Sequence, residues 1–287
     1  MMARRRLSRG PLLLLLAAVL PLLVVFWFIL REPRFKLLWK FKIEDQFSYR
    51  ITTTTFRPTG EPGIITGYTI ANRTTAVDSS GAGTIVTQRA AVAWKSSSLD
   101  YDSLRDKEPP ADVLAQGLAA TLGRQDTMIM DPIGRIPFFD GRKPIPTDEI
   151  PAQLYPFFVP GPRFIEPDGT MIGYILLPNH PVRVGESWSV NVAELWKKRG
   201  IITYRLEGVR HNKAYISIEE SIIYHGFPGN ISETLTGNAV FSIERGTLLF
   251  LSELTTWKVG DLPTHTSSFE CGAVDQEGNP LLGRDDR

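Results

Sequence analysis

The chain has 287 residues, 43% of them hydrophobic, which is enough apolar material for one large domain or two small ones. Its formal net charge is +1, but four of its 32 basic residues precede residue 10, which leaves 28 basic against 31 acidic residues in 31–287. We therefore expect no nucleic-acid partner, because neutralising phosphates needs a clustered basic surface. Cys271 is the only cysteine, which excludes an intramolecular disulfide and a zinc site built from cysteines of this chain.

Residues 11–30 form an uncharged apolar run with the sequence PLLLLLAAVLPLLVVFWFIL. A helix of this length, rising 1.5 Å per residue, matches a hydrocarbon core of about 30 Å. A cleaved signal peptide is the alternative, but its apolar region has about 7 to 15 residues and ends in small residues. This run ends in bulky side chains, and we therefore expect an uncleaved transmembrane signal-anchor helix.

The orientation of this helix does not follow from a simple count, because basic residues flank both of its ends. Residues 1–10 carry four arginines and favour a cytoplasmic tail, whereas a long following domain is translocated largely regardless of its charge. The sequence therefore predicts a single-pass membrane protein in which residues 31–260 form an exported domain on the non-cytoplasmic side.

Alternation of apolar or β-branched residues with polar ones dominates the exported region. This period of two is typical of half-buried antiparallel strands, and Gly, Asn and Pro turns separate the segments. The strand signals lie at residues 47–55, 65–70, 84–94, 201–206, 214–219, 221–224, 239–243 and 247–259. The predicted fold is mainly β, or a β-dominated α+β fold, built on an antiparallel sheet, sandwich or half-barrel.

One or two short helices are expected as insertions between the strand-rich halves. The first, at residues 110–122, places four apolar side chains on one face: Val113, Leu114, Leu118 and Leu122. The second covers residues 149–158. Residues 96–110 are polar and are expected to form a loop, and residues 261–287 are expected to be a disordered tail.

The two halves of the exported region, at about residues 38–140 and 175–258, present similar elements in the same order, which indicates an internal duplication. Three pairs anchor the alignment: Phe47 with Trp188, Tyr68 with Tyr204, and Gly134 with Gly246. The alternative is that two unrelated β meanders share this pattern. Each half alone has few strands with which to bury a face, so we expect both to fold as one continuous unit.

A short motif opens the second half. Residues 182–188 read Val-Arg-Val-Gly-Glu-Ser-Trp, and residues 204–209 read Tyr-Arg-Leu-Glu-Gly-Val. Together they resemble a pattern in uncharacterised bacterial exported or lipid-anchored proteins with a duplicated β domain, over about residues 38–258. The resemblance implies a duplicated β fold in a bacterial cell envelope, but it brings no activity, because none is established for that family. The lipid-anchoring cysteine of many such proteins is replaced here by the apolar run.

No catalytic, metal or cofactor motif stands out in the sequence. The histidines lack the i, i+4 spacing of a metal site on a helix, and the aspartate-rich residues 100–106 lack the glycine of a calcium loop. Gly81-Ala-Gly83 lacks the third glycine of a dinucleotide loop. A hydrolytic carboxylate pair, such as Asp131 with Glu219 or Glu220, cannot be brought together by sequence reasoning. We therefore expect no enzyme, no cofactor and no metal.

A binding role is the function that the sequence favours. Five apolar residues on predicted strands and inserted segments are expected to line a pocket for an apolar ligand such as a lipid: Trp94, Leu118, Phe157, Phe158 and Trp188. One alternative is that they form an ordinary core. Another is a structural or interaction module that docks a further cell-envelope component through a sheet face or a free strand edge.

Overall fold

The computed structural model describes residues 33–140, 164–165, 171–192, 198–224, 231–259 and 264–283. Lys36–Arg287 form one compact unit, and Met1–Phe35 form another. The described residues contain one helix, α1 (Val113–Ala119), and fifteen strands: β1 (Gln46–Phe56), β2 (Pro62–Val77), β3 (Gly83–Lys95), β4 (Asp100–Asp102), β5 (Gln125–Met130), β6 (Arg135–Ile136), β7 (Phe138–Asp140), β8 (Phe164–Ile165), β9 (Met171–Ile172), β10 (Ser187–Val192), β11 (Lys198–Arg210), β12 (Lys213–Tyr224), β13 (Ile231–Ser242), β14 (Thr247–Val259) and β15 (His265–Val274).

Twelve of these strands form one antiparallel sheet, in the order β10-β11-β12-β13-β14-β15-β1-β2-β3-β5-β7 with β4 paired to β3. A small second sheet has the order β6-β9-β8. Most neighbours in the large sheet are also neighbours in sequence, as expected for strands joined by tight turns. The prediction of a mainly β, antiparallel fold is confirmed.

Strand β15 lies in the middle of the large sheet and joins its two halves. It pairs with β14 on one side and with β1 on the other, so that Cys271 faces both Leu251 and Ile51. The prediction of a disordered tail from residue 261 is therefore wrong for residues 264–283, which include β15 and the turn after it. The segment is ordered because two neighbouring strands satisfy its backbone hydrogen bonds, which the local sequence does not reveal.

The alternation in the sequence decides which side of the sheet is buried. On β1, Tyr49 and Ile51 are buried and Arg50 between them is exposed. On β12, Ile216 and Ile218 are buried in the same way. Because successive side chains of a strand point to opposite faces, most of the buried rows share one side, which we call the inner face. On the other side, Val240, Leu249 and Leu282 form a smaller buried cluster.

Two irregular segments cover the inner face at the end where β1 begins, which we call the proximal end. From residues 36–41, Trp39 packs edge-on against Phe241, with ring centroids 5.4 Å apart. From residues 173–178, Tyr174 packs against Tyr49 at 4.9 Å. The hydroxyl groups of Tyr49 and Thr247 form a hydrogen bond of 3.1 Å. This end of the inner face is therefore a closed core, and burial raises the pKa of Tyr49.

Helix α1 lies inside the segment predicted as helical, residues 110–122, and is shorter. Asp112 caps it, since its Oδ1 accepts the backbone N–H of Ala115 at 3.2 Å. Ala115 and Leu118 are fully buried. The predicted helix at residues 149–158 lies outside the described residues.

The segment predicted as a loop, residues 96–110, contains the short strand β4, whose Tyr101 pairs with Trp94 of β3. No helix among the described residues has the length and apolar character needed to cross a membrane, and residues 11–30 lie outside them.

Candidate ligand cavity at the distal end of the sheet

A cavity of about 450 Å³ lies at the end of the sheet where β1 finishes, which we call the distal end. Its volume falls in the range of small-molecule sites, about 300–1,000 Å³. The described residues that line it come from three separate parts of the chain: Thr55, Phe56, Arg57, Gly63, Ile64, Trp94, Ser96, Ser97, Ser98, Leu99 and Asp112.

The first wall is the turn between β1 and β2. Arg57 N donates to Glu61 O at 2.9 Å, and Gly60 N donates to Arg57 O at 2.8 Å. The strand register shifts between Thr55 and Phe56, next to this turn. Such an irregularity bends a strand and redirects its side chains, which is how strand ends are often adapted to form a site.

The second wall is a four-residue turn directly after β3. Ser96 N donates to Leu99 O at 2.7 Å, and the Oγ of Ser96 accepts the backbone N–H groups of Ser98 and Leu99 at 3.3 and 3.2 Å. The hydroxyl of Ser96 is therefore used to hold the turn, because short polar side chains bond readily to nearby backbone groups. Ser97 and Ser98 are exposed.

The floor of the cavity is apolar. Trp94 is buried, and Phe56, Ile64 and Leu99 are half-buried. Asp112, which caps α1, supplies a polar part of the lining. The cavity thus combines an apolar floor with polar groups, the combination that is typical of sites for small amphiphilic molecules.

Only some of the predicted pocket residues belong to this cavity. Trp94 lines it, whereas Leu118 is fully buried in α1 and is not among the lining residues. Trp188 stacks on Tyr204, with ring centroids 5.6 Å apart, and its Nε1 donates to Leu176 O at 2.8 Å. That tryptophan therefore belongs to the core. Phe157 and Phe158 lie outside the described residues.

Trp94 and Trp188 nevertheless occupy the same transverse row of the inner face. Following the cross-strand partners from β4 to β10, the row reads Tyr101, Trp94, Thr66, Thr53, Phe269, Glu253, Gly237, Ile218, Tyr204 and Trp188. Aromatic residues stand at both ends, and Phe269 lies in the middle between Thr53 and Glu253. Seven strands separate the two tryptophans, about 38 Å measured along the sheet.

Two carboxylates are buried on the inner face. Glu220 is 5% exposed and Glu253 is 4% exposed. A Cβ built on Gly237 would lie 2.9 Å from the Cγ of Glu253, so this side chain lies across β13. The burial of Glu220 could be read from the sequence, because this residue falls in phase with Ile218 and the other buried residues of β12. Neither carboxylate lines the distal cavity.

The acid pair considered from sequence finds no support. Oδ1 of Asp131 accepts the backbone N–H groups of Ile133 and Arg135 at 3.0 and 2.8 Å, which fixes a turn after β5. Glu219 is exposed on the opposite side of β12 from Glu220. Asp131 therefore has a local structural role in its turn.

A cation lies over an aromatic ring on the inner face. Arg89 Cζ is 4.8 Å from the ring centroid of Tyr68, a distance typical of cation–π contacts. Burial raises the pKa of Tyr68 to about 12, although the positive charge of Arg89 opposes this shift. Burial also lowers the pKa of Arg89. The phenol of Tyr68 is therefore protonated at neutral pH and is not suited to act there as a general base.

Most of the cavity residues could not be found by sequence reasoning, because they belong to turns that meet only in the folded chain. Arg57, Ile64 and Leu99 carry no local signal of a site. Within the part of the chain that the structure describes, no group of three or more potential metal ligands occurs. No protein-family model matches the chain, and no curated protein matches it.

Proposed function

We propose that this protein is a single-pass membrane protein whose non-catalytic, extracytoplasmic β domain binds an apolar ligand such as a lipid in the distal cavity. The membrane part of the proposal rests on residues 11–30, whose uncharged length matches a hydrocarbon core. The exported side is favoured by the four arginines of residues 1–10.

The observation that carries the binding proposal is the apolar floor of the cavity. Ile64 of β2, Trp94 of β3 and Leu99 of the turn after β3 border one volume of about 450 Å³. Burial of a lipid chain against such side chains contributes about 25 cal/mol for each Å² of apolar surface removed from water. The absence of a catalytic motif in the sequence favours binding over catalysis.

We also propose that the two halves arose by duplication. The aligned elements follow one strand order, β1-β2-β3-β5 in the first half and β10-β11-β12-β13 in the second. Gly134 and Gly246, which the alignment pairs, both lie in turns with positive φ angles of 97° and 64°. The registers differ, because Trp188 pairs with Tyr204 whereas Phe47 pairs with Asn72. A duplication would therefore have been followed by a change in strand register in the first half.

Native mass spectrometry tests the binding proposal. The full chain would be purified in a mild detergent from a host with a cell envelope and examined for a bound mass that is released on denaturation. We expect a stoichiometric lipid-sized adduct. In the variant Leu99→Trp the larger side chain would occupy the cavity, and the adduct should disappear.

The matched control is Trp188→Phe, which changes an inner-face tryptophan outside the cavity lining. This variant should keep the adduct. A second cavity variant, Trp94→Ala, should lose it even if that substitution also lowers stability. A clean apo mass for the wild-type chain would contradict the proposal.

The docking alternative has one observation in its favour. Ile201 and Ile223 are 52% and 44% exposed on neighbouring strands β11 and β12, next to β10 at the end of the strand order. They face outward at diagonal positions, since Ile201 pairs with Ser221 and Ile223 with Arg199. Exposed apolar pairs near a sheet edge are suited to protein contacts. Loss of cross-linked envelope proteins in the double variant Ile201→Glu, Ile223→Glu would support docking.

A further inference from the structure

The distal cavity has one cation among its described lining residues, the guanidinium of Arg57. The backbone of this residue is fixed in the turn between β1 and β2. A Cβ built on Gly63 would lie 3.3 Å from Arg57 Cγ and 3.8 Å from its Nε, so the side chain runs over the glycine on the cavity wall. Gly63 therefore leaves room for the arginine to lie along the wall.

No described residue neutralises the charge of Arg57. Among the residues that the structure describes, none lies within hydrogen-bond or ion-pair distance of its guanidinium. Asp112 is the lining anion, but its Oδ1 accepts the backbone N–H of Ala115 at the start of α1. No described ion pair or hydrogen bond joins this carboxylate to the guanidinium of Arg57.

Arg57 and the exposed hydroxyl groups of Ser97 and Ser98 are hydrogen-bond donors on the same cavity that has Trp94 in its floor. Guanidinium groups bind carboxylates and phosphates through two parallel N–H···O bonds, and such charge-assisted bonds are roughly twice as strong as neutral ones. Ligands that combine an anionic oxygen head with an apolar body satisfy both sets of groups. A cationic head would instead meet the positive charge of Arg57.

We propose that the cavity selects acidic amphiphiles, whose carboxylate or phosphate pairs with Arg57 and whose apolar part contacts Trp94 and Ile64. This inference rests on the proposed binding function and specifies the chemistry of the ligand. The head contributes selectivity, and the apolar floor contributes affinity. Both a fatty acid and a phosphate monoester have an anionic oxygen head and an apolar body. The experiment below distinguishes these two kinds of ligand.

Equilibrium dialysis with radiolabelled probes tests the selectivity. The full chain would be held in nanodiscs, with the signal from empty nanodiscs subtracted. The probes are decanoate, decyl phosphate, decanol, decyltrimethylammonium and inorganic phosphate. We expect decanoate or decyl phosphate, or both, to bind about tenfold more tightly than decanol, and the cationic probe more weakly than decanol. The tighter of the two acids identifies the head.

The variant Arg57→Gln should reduce the affinity for the acidic probes about tenfold and leave decanol binding within about twofold of wild type. The control Arg50→Gln removes the same charge from the exposed outer side of β1 and should change neither affinity.

Four results would overturn the inference. Equal binding of decanol and both acids would leave the proposed binding function intact but remove the selectivity. Equal losses in the two arginine variants would assign the effect to net charge. Inorganic phosphate binding as tightly as decyl phosphate would show that the apolar floor contributes nothing. If no decyl probe bound at all, the proposed function would fail together with the inference.

Discussion

Trp39 and Lys40, two consecutive residues, donate their backbone N–H groups to opposite halves of the large sheet. Trp39 N donates to Pro132 O at 2.7 Å, and Lys40 N donates to Gly246 O at 2.9 Å. The Nζ of Lys40 adds hydrogen bonds to the carbonyl oxygens of Ile243 and Glu244, at 2.9 and 3.1 Å. Residues 36–41, which we call the crossing segment, therefore link the turn after β5 to the turn between β13 and β14.

Both turns depend on a glycine at the point where this segment crosses them. A Cβ on Gly134 would collide with Ile175 O and lie 2.9 Å from Trp39 Nε1, and one on Gly246 would lie 2.6 Å from Lys40 N. Both glycines also have positive φ angles. We expect Gly134→Ala and Gly246→Ala each to lower the free energy of unfolding by about 2–4 kcal/mol, measured by urea titration of the full chain in detergent.

Gly117→Ala is the matched control for these two variants. Gly117 lies inside α1, and a Cβ there meets nothing within 4 Å. Alanine favours a helix interior by about 0.8–1.0 kcal/mol over glycine, so this variant should be neutral or more stable. Equal destabilisation by all three changes would disprove the role assigned to the crossing segment.

Removal of β15 should abolish the fold. The strand is hydrogen-bonded on both sides, and Cys271 and Ala273 on it are buried. A chain that ends at residue 263 would leave β14 and β1 each unpaired on one side and would expose the core between them. We expect loss of the native circular dichroism signal and aggregation. A chain that ends at residue 283 should melt at the wild-type temperature, and a folded 263-residue chain would contradict the central position of β15.

The single thiol should report on unfolding. Cys271 is 0% exposed and lies in the middle of the large sheet. A thiol of this kind reacts only when the surrounding structure opens. We expect almost no labelling by a disulfide reagent in native buffer and full labelling in 6 M guanidinium. The variant Cys271→Ala, Ser232→Cys moves the thiol to an exposed position and should react at once; rapid labelling of native Cys271 would refute its burial.

The charged cluster after β4 should make stability depend on pH under acidic conditions. Asp106 accepts hydrogen bonds from the Arg105 side chain, at 2.8 and 3.0 Å, and from Asp102 N at 2.9 Å. These bonds hold the pKa of Asp106 at about 2. Because the folded pKa lies below the unfolded value of about 3.9, the stabilisation is complete above that value and is lost as the pH falls towards 2.

We therefore expect Asp106→Asn to melt at a lower temperature than wild type at pH 5, with the gap closing as the pH approaches 2. Asp45→Asn is the control, because the structure describes no hydrogen bond to the Asp45 carboxylate. Its melting temperature should follow that of wild type over this range. A gap for Asp106→Asn that stays constant with pH would exclude a contribution from its ionised form.

The strands were predictable because one face of the sheet is buried. Buried Tyr49 and Ile51 alternate with less buried polar residues along β1, and the same period is visible in the printed sequence. The helix was predictable for a similar reason, since Leu118 falls on its apolar face and is fully buried. The local sequence pattern is sufficient to predict a strand or a helix wherever the burial of its side chains follows the period of that element.

The central position of β15 and the cavity were not predictable in this way. Residues 269–273 read Phe-Glu-Cys-Gly-Ala, which is a weak strand signal, and they are ordered by partners far away in the chain. The cavity joins the turn at Arg57, the turn at Ser96 and the cap at Asp112, whose contact depends on the register of β1, β2 and β3. Such tertiary effects override local propensity.

Strand β1 sets the distance between the crossing segment, which links the two halves of the sheet, and the distal cavity. It has 11 residues, about 33 Å from end to end, with the crossing segment at its start and Arg57 directly after its end. A change at the distal cavity and a change in residues 36–41 are therefore too far apart to affect each other directly, and their effects on stability should add.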